Sequence, residues 1–564
     1  MADLENTPTD DGLPEEPAKN QHAQDAVVQE DAAQDVAVHD VAAQDVAVQE
    51  DAVQEDAAQA PADAPPARTA SGRGRTITLV SLRVVRGLVG AAAAAVVIGA
   101  VGLVPLPTVG IDPLAVTVEP PPADMLQLCT GSLLRLGDDS GSNAGQASPV
   151  GTADVTVAAG GGTATTTPLA QSDAGTGGTR QAPSVLTLAA SPDAALAGAQ
   201  TQVATGAGDL SGLAASACAE PTSSAWLVGG AATIGRTTLL LIANPTAVSA
   251  DVTIRMWSET GAVSAPGMAI EIPAGQQKVL PLAGFAPGIA SPVVHVEARG
   301  GQIVAALQTS VVRVLDPGGV DVNGAGAAPS TASVVPAVRI FDELGVSSSL
   351  GLADHEDLEA IARVGNPGDA DATVEVSLLP VAADGPATSF EITVPAGTVT
   401  DVPLSTALEL GQAPFPDGSY SVSFQSDVPV VTGVRASTTP APAADAGGIP
   451  QAGPVDLAWF SSAPALHGDA LIAVADAPSP MLVAVNPDNT ERTLTLEPLG
   501  GGDTILLVLP PARPAAIALT PGEGYRVLDA DGVRVGITFA GPGALAGYTL
   551  RSAREADSPI VVRP

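Results

Sequence analysis

His355-Glu356 supplies the first half of H-E-x-x-H, in which two histidines one helical turn apart hold zinc and the glutamate acts as base. The second histidine is missing, and beyond residue 107 only His295, His355 and His467 remain, far apart in the chain. Zinc needs three or four ligands at one point, so no metal residues are expected. The runs Asp354-His355-Glu356-Asp357 and Asp529-Ala530-Asp531-Gly532 cluster carboxylates. Calcium takes six to eight oxygens in a defined loop, and neither run completes one; both read as solvated turns. G-x-S-x-G, the G-x-x-x-x-G-K-[ST] phosphate loop and a helix-opening G-x-G-x-x-G are all absent. A glycosidase carboxylate pair is assembled by the fold and leaves no sequence motif. No catalytic or cofactor-binding residue is therefore named. Trp226, Trp257, Trp459, Tyr420, Tyr525 and Tyr548 read mostly as core. Trp257 is the one that an alternating strand, VTIRMW, could turn outward.

Two cysteines, Cys129 and Cys218, lie after an apolar run at 87–107. An even number outside a membrane suggests one disulfide, and two separate buried thiols are the alternative.

These residues sit in a chain of 564 with 60 Gly, 50 Pro, 2% aromatics and a net charge of -38. All aromatics fall at or after Trp226, so any earlier core must be aliphatic. A surface this acidic repels phosphate backbones, which argues against nucleic-acid binding. Residues 1–75 are low in complexity, with a five-residue unit (QDAVV, QEDAA, QDVAV) recurring from Gln24. A period of five winds acids around every side of a helix, so a disordered acidic tail is expected there. Next come Arg68, Arg73, Arg75, Arg83 and Arg86, then the uncharged run GLVGAAAAAVVIGAVGLVPLP. Its length suits a bilayer. The arginines before it place the N-terminus in the cytoplasm and the bulk of the chain outside, with 76–107 as basic flank and transmembrane helix. A cleaved signal peptide is the rival reading.

Residues 108–225 read as a small Gly/Ala/Thr-rich β region. From Trp226 a unit then recurs three times, and each copy reads as an apolar strand, Asn-Pro, a polar turn and an alternating strand. The pairs are Asn244-Pro245, Asn366-Pro367 and Asn486-Pro487. Proline ends a strand and asparagine can cap the turn. Each unit closes on two further apolar stretches that read as strand pairs, the last turning on Asp531-Gly532 as a tight hairpin. SSAWLVGGAA at Trp226 and LAWFSSAPAL at Trp459 look like equivalent lead-ins, with Phe341 as counterpart. About seven short strands per unit is the pattern of an Ig-like β-sandwich. The modules are placed at 226–335, 336–455 and 456–564, and the fold class is mainly β: tandem sandwiches after a disordered tail and one transmembrane helix.

The arrangement over roughly residues 76–564 resembles a family of uncharacterised single-pass envelope proteins of high-GC Gram-positive bacteria. In that family one N-terminal anchor precedes repeated strand–Asn-Pro–strand modules. The resemblance implies location and architecture but no activity, and the acidic tail departs from it. The leading expectation is a non-enzymatic, membrane-anchored envelope scaffold or binding surface, its partner a cell-wall polymer or an envelope protein. The alternatives are an enzyme or accessory factor acting on wall polysaccharide and a transmembrane signalling protein.

Overall fold

In the computed structural model, the described residues are 116–118, 123–137, 146–171, 182–206, 209–381, 387–405, 416–444, 450–451, 453–552 and 560–562, with Val89 and Ala92. The chain divides into two units, Met1–Gly110 and Ile111–Pro564. In the first, Val89 and Ala92 are helical and exposed. Among the described residues no helix is long and apolar enough to cross a membrane. The tail at 1–75, the five arginines and the rest of the run at 87–107 lie outside them.

The second unit is mainly β. Three successive modules each pack one four-strand antiparallel sheet on another, and all three share one topology. With a module's strands counted one to eight in chain order, and Gly261–Val263 and Ala269–Ile272 of the first module counted together as its fourth, one sheet runs 1-6-3-4 and the other 8-7-2-5. In the first module strand one is Ser224–Val228 and strand eight Asp316–Gly324. The second runs from Ser330–Ile340 to Asp456–Ser461, and the third from Ala470–Ala473 to Ala544–Thr549. Alternation drives the layering: Ala250, Val252, Ile254 and Met256 are buried while Asp251, Thr253 and Arg255 are exposed, and Ala372, Val374 and Val376 are buried while Thr373 and Glu375 are exposed. The buried faces form three separate cores, centred on Leu240 and Ile254, on Val374 and Phe424, and on Leu482 and Ile537.

Several sequence expectations change here. The order differs from the immunoglobulin arrangement, in which strands A, B, E and D share one sheet and C, F and G the other. The closing strand pairs are not hairpins. Val293–Gly300 pairs with strands one and three of its module, whereas Val304–Arg313 pairs with strands two and eight of the opposite sheet. The same holds across Asp531-Gly532: Gly524–Leu528 and Arg534–Gly541 lie in different sheets. In the second module one 21-residue strand, Gly418–Thr438, serves as both strands six and seven. Period-two alternation shows that a strand has a buried face, but it cannot show which sheet the strand joins. Trp459 is not the counterpart of Trp226: its strand, Asp456–Ser461, is hydrogen-bonded into the second module's sheet, on residues 433–438.

Before the modules, Met125–Cys129 pairs with Ser184–Leu188, and Ala195–Thr205 pairs with both Asp154–Gly160 and Ser211–Ala217. This aromatic-free region shares its core with its neighbours. Ala158, Ala199 and Leu213 join the third module's core, while Leu133, Leu210 and Ala214 pack with Val320 and Val322 of the first. Small side chains let these backbones approach closely, which is what its composition permits. Buried glutamines complete the seam. Gln200 and Gln202 accept hydrogen bonds from the Gly131 and Leu133 N–H groups, and Gln308 accepts one from Leu134. Amide side chains thus stand in for ladder bonds where no strand reaches.

Candidate functional site

Cys129 and Cys218 are joined in a disulfide, both almost fully buried. It closes a loop of 89 residues in the region with the least core of its own.

The three asparagines repeat one hydrogen-bond set. Each is at most 1% exposed. Asn244 Nδ2 donates to the Val248 and Ile272 carbonyls, and its Oδ1 accepts from the Thr246 N–H. Asn366 does the same with Ala370, Val394 and Gly368, and Asn486 with Thr490, Leu509 and Asp488. Strand two of each module ends at or just before this asparagine, and strand three begins after Pro245, Pro367 or Pro487 in the opposite sheet. A chain crossing between sheets leaves main-chain groups without a ladder, and the amide satisfies three of them at once. Asn366→Asp keeps the acceptor and loses both donated bonds. It is expected to cost about 2 kcal/mol or more, read as a lower midpoint in urea unfolding; an unchanged midpoint would refute the assignment.

The acid run at 354–357 is not a solvated turn. Asp354 and Asp357 pair with Arg236 at 3.0 and 2.9 Å, and Asp357 with Arg313 at 2.7 Å. This loop of the second module is thereby fastened to the first. Burial pushes the Asp357 carboxyl up, but Arg313, Arg435 and Arg236 together hold it below the usual range. Nearby, Arg363 is 1% exposed and uses all five N–H donors. Two go to Asp401, at 2.7 and 2.8 Å, and three to the carbonyls of Gly230, Ala290 and Pro292 in the first module. Its guanidinium lies 4.4 Å from the centre of the Trp459 ring, and the Ser291 hydroxyl donates to Asp401 at 2.8 Å.

Asp456 ties all four regions together. Its Oδ2 accepts the N–H of Leu213, before the modules, and of Leu545, in the third. Its Oδ1 accepts from Val320 of the first, and the Leu457 N–H also points at the carboxylate. Burial pushes this carboxyl up, against the pull of those four donors. A side chain on Gly212 would put its Cβ only 2.1 Å from Asp456 Oδ1, so glycine there is a condition of the contact. Asp321 is also fully buried and accepts from the Trp459 N–H, while its Oδ1 has no hydrogen-bond partner. Burial drives its pKa up to about 7. Between pH 4 and 7 the folded protein therefore keeps a proton that the unfolded chain has released, so stability falls as pH rises through that window. Asp321→Asn is expected to flatten this slope in denaturation measured from pH 4 to 7; an identical slope would overturn the prediction.

A cavity of about 350 Å³ opens where these regions meet. Cys218, Ser224, Asn323, Ser461, Tyr548 and Arg551 are among its walls. That volume is at the low end for small-ligand sites. The Tyr548 hydroxyl is engaged with Ala473 and Ala475. Arg551 donates to the Ala325 and Gly326 carbonyls. Ser224 meets His295 Nε2 at 2.9 Å, and His295 Nδ1 is buried with no hydrogen-bond partner. Burial, then Arg255, pushes the His295 pKa down. With no acceptor behind the imidazole, a charge formed on it would lack the support that a catalytic triad provides. Ser224 lines the cavity, whereas His295 lies beneath Trp226.

His295 also belongs to a cross-strand grid on the outer face of the first module. Rows Val228–Val293–Trp257 and Trp226–His295–Arg255 run across three strands. Trp226 stacks on His295 at 4.1 Å and on Trp257 at 5.4 Å. The valine row packs on Val399 and Val431 of the second module, with both indoles against it. Trp257 is thus half-buried in a module contact, and Trp226 with it. His355 is half-buried and His467 exposed, each in a different loop. Among the described residues no three His, Cys, Asp or Glu side chains cluster as a metal site. Neither the arginine network nor the Asp456 knot has a sequence motif; the one clue to them was the pairing of isolated charges with strands that otherwise read as core.

The fold and its junctions define a mainly β, sandwich-like protein with a repeated module. The chain belongs to a family of unknown function (DUF5719), whose model matches residues 174–505. No curated protein matches it. Among solved structures it is similar to the Anabaena sensory rhodopsin transducer, at 22% identity over 19% of this chain and 93% of that one, with a TM-score of 0.14. It is also similar to Thermotoga maritima 1070, at 17% identity over 24% and 93%, with a TM-score of 0.16.

Proposed function

We propose that the protein is a non-enzymatic cell-envelope scaffold and binding surface, anchored by the helix at 87–107 with its N-terminus in the cytoplasm. The three modules, Ig-like in size and layering, stand outside the membrane. The observation that carries this reading is the Asp456 carboxylate of the second module, which takes main-chain N–H groups from the other three regions of Ile111–Pro564. Modules on flexible linkers would not share one buried carboxyl group. Tying them into one body suits a part that must hold a surface in a fixed orientation. The cavity at the same junction is the natural seat for a ligand, and a cell-wall polymer is the partner class that the location suggests. Two measurements on the full chain test this. Protease added to intact cells should degrade the modules and spare the acidic tail; protection of the modules would overturn the topology. Detergent-solubilised protein should co-sediment saturably with isolated cell wall, and absence of binding across salt concentrations would overturn the wall-polymer partner.

A further inference from the structure

The repeated asparagine bond aligns the fourth strands of the three modules. Ile272, Val394 and Leu509 each give their carbonyl to it. Counting back, the outward position next to it is Glu271, Thr393 and Val508, and the next outward position is Ala269, Glu391 and Leu506. Modules one and two thus each carry a glutamate on this edge. Module three carries two aliphatics, 64% and 49% exposed at Leu506 and Val508. An inward or outward charge is a common means of keeping a sheet edge from pairing. Ile505–Leu509 has no charge, no proline and no bulge. It pairs with Arg492–Pro498 on one side, and among the described residues nothing pairs with the other. The first module's edge is broken into two short strands, Gly261–Val263 and Ala269–Ile272. Its opposite sheet is covered at strand five by Ala170–Gln171.

We propose that Ile505–Leu509 is a self-association edge that pairs antiparallel with the same strand of a second copy. The segment is self-complementary. With the two-fold axis at Leu507, each Leu506 faces the other copy's Val508, so four aliphatics form one strip on a continuous sheet. Charge agrees with this direction. Asp503 precedes the strand and Arg513 follows it, so antiparallel alignment brings each acidic end toward the other copy's basic end, and a parallel pairing would align like with like. The inference does not depend on the function proposed above.

Sedimentation velocity on the full chain in an uncharged detergent, across a concentration series, tests it. The native protein should show a monomer–dimer equilibrium. Leu506→Glu, which restores the charge that module two carries, should weaken the dimer at least roughly tenfold, with an unchanged melting temperature at concentrations where both proteins are monomers, since the residue is exposed there. A native chain that stays monomeric overturns the proposal, as does a dimer that L506E leaves intact. Register is read by mixing Leu506→Cys with Val508→Cys chains under oxidation; Cys129 and Cys218 are buried and already bonded. Cross-linking between the two variants should outrun that within either alone, and the reverse order would overturn the two-fold at Leu507.

Discussion

Asp456→Ala is expected to unfold the junction of all four regions of Ile111–Pro564. The substitution leaves three buried N–H groups without an acceptor: Leu213, Val320 and Leu545. Each orphaned buried donor costs about 1–3 kcal/mol, so the sum rivals the roughly 5–15 kcal/mol that holds an ordinary domain folded. Asp456→Asn should be nearly as damaging. Both native oxygens accept, so whichever position the amide nitrogen takes, its hydrogens meet an incoming N–H. The check is limited proteolysis with a thermal melt. The variant should be cut between regions under conditions where the native chain is resistant, and its melting should split into more than one transition. A single transition within a few degrees of native would show that the carboxylate is not what joins the regions.

Arg363→Ala should cost about 3–5 kcal/mol, as expected when one partner of a buried ion pair is removed. The loss has two parts. Asp401 loses its bidentate partner, and the Gly230, Ala290 and Pro292 carbonyls of the first module lose the guanidinium that donates to them. Arg363→Lys keeps the charge but cannot reach five acceptors in a planar fork, so it should recover only part of the stability. The double change Arg363→Met with Asp401→Leu removes the orphaned charge and should be milder than Arg363→Ala alone, though the three carbonyls keep it from neutrality. Denaturant midpoints for the four proteins decide this. A double variant worse than the single one would mean that the pair is held for its charge. Acid sensitivity follows from the same groups. Arg363, Ser291 and Arg435 outweigh burial and hold the Asp401 carboxyl below its ordinary range, as the arginines around Asp357 do for that residue. Both contributions are present above the usual carboxylate pKa and are lost as pH falls through the depressed values. Arg363→Ala should blunt the acid limb, opposite in sign to the slope that Asp321 imposes between pH 4 and 7.

What the sequence by itself determined was local. Alternation in VTIRMW and TVEVSLL marked strands with one buried face, and the structure has Ala250–Ser258 and Ala372–Pro380 with that pattern. Asn-Pro marked the ends of strands, because a proline has no N–H for a ladder and an asparagine can replace one. Both signals act within a few residues, so they survive without knowledge of the fold. Which sheet a strand joins depends on partners distant in the chain, as Ser224 with Glu297 and Ser330 with Val430, and a hairpin and an inter-sheet crossing read alike, as they do at Asp531-Gly532. The partner of a charge is also non-local. Asp354 and Asp357 read as a solvated acidic turn until Arg236 and Arg313, from another module, arrive beside them. Asp456 sits in LAWFSS-type apolar sequence with no mark of its role, and Gly212, more than two hundred residues away, matters only because it must yield space to that carboxylate. The tertiary structure decided these because burial, not residue type, turns a surface carboxylate into one that must find donors from every element packed around it.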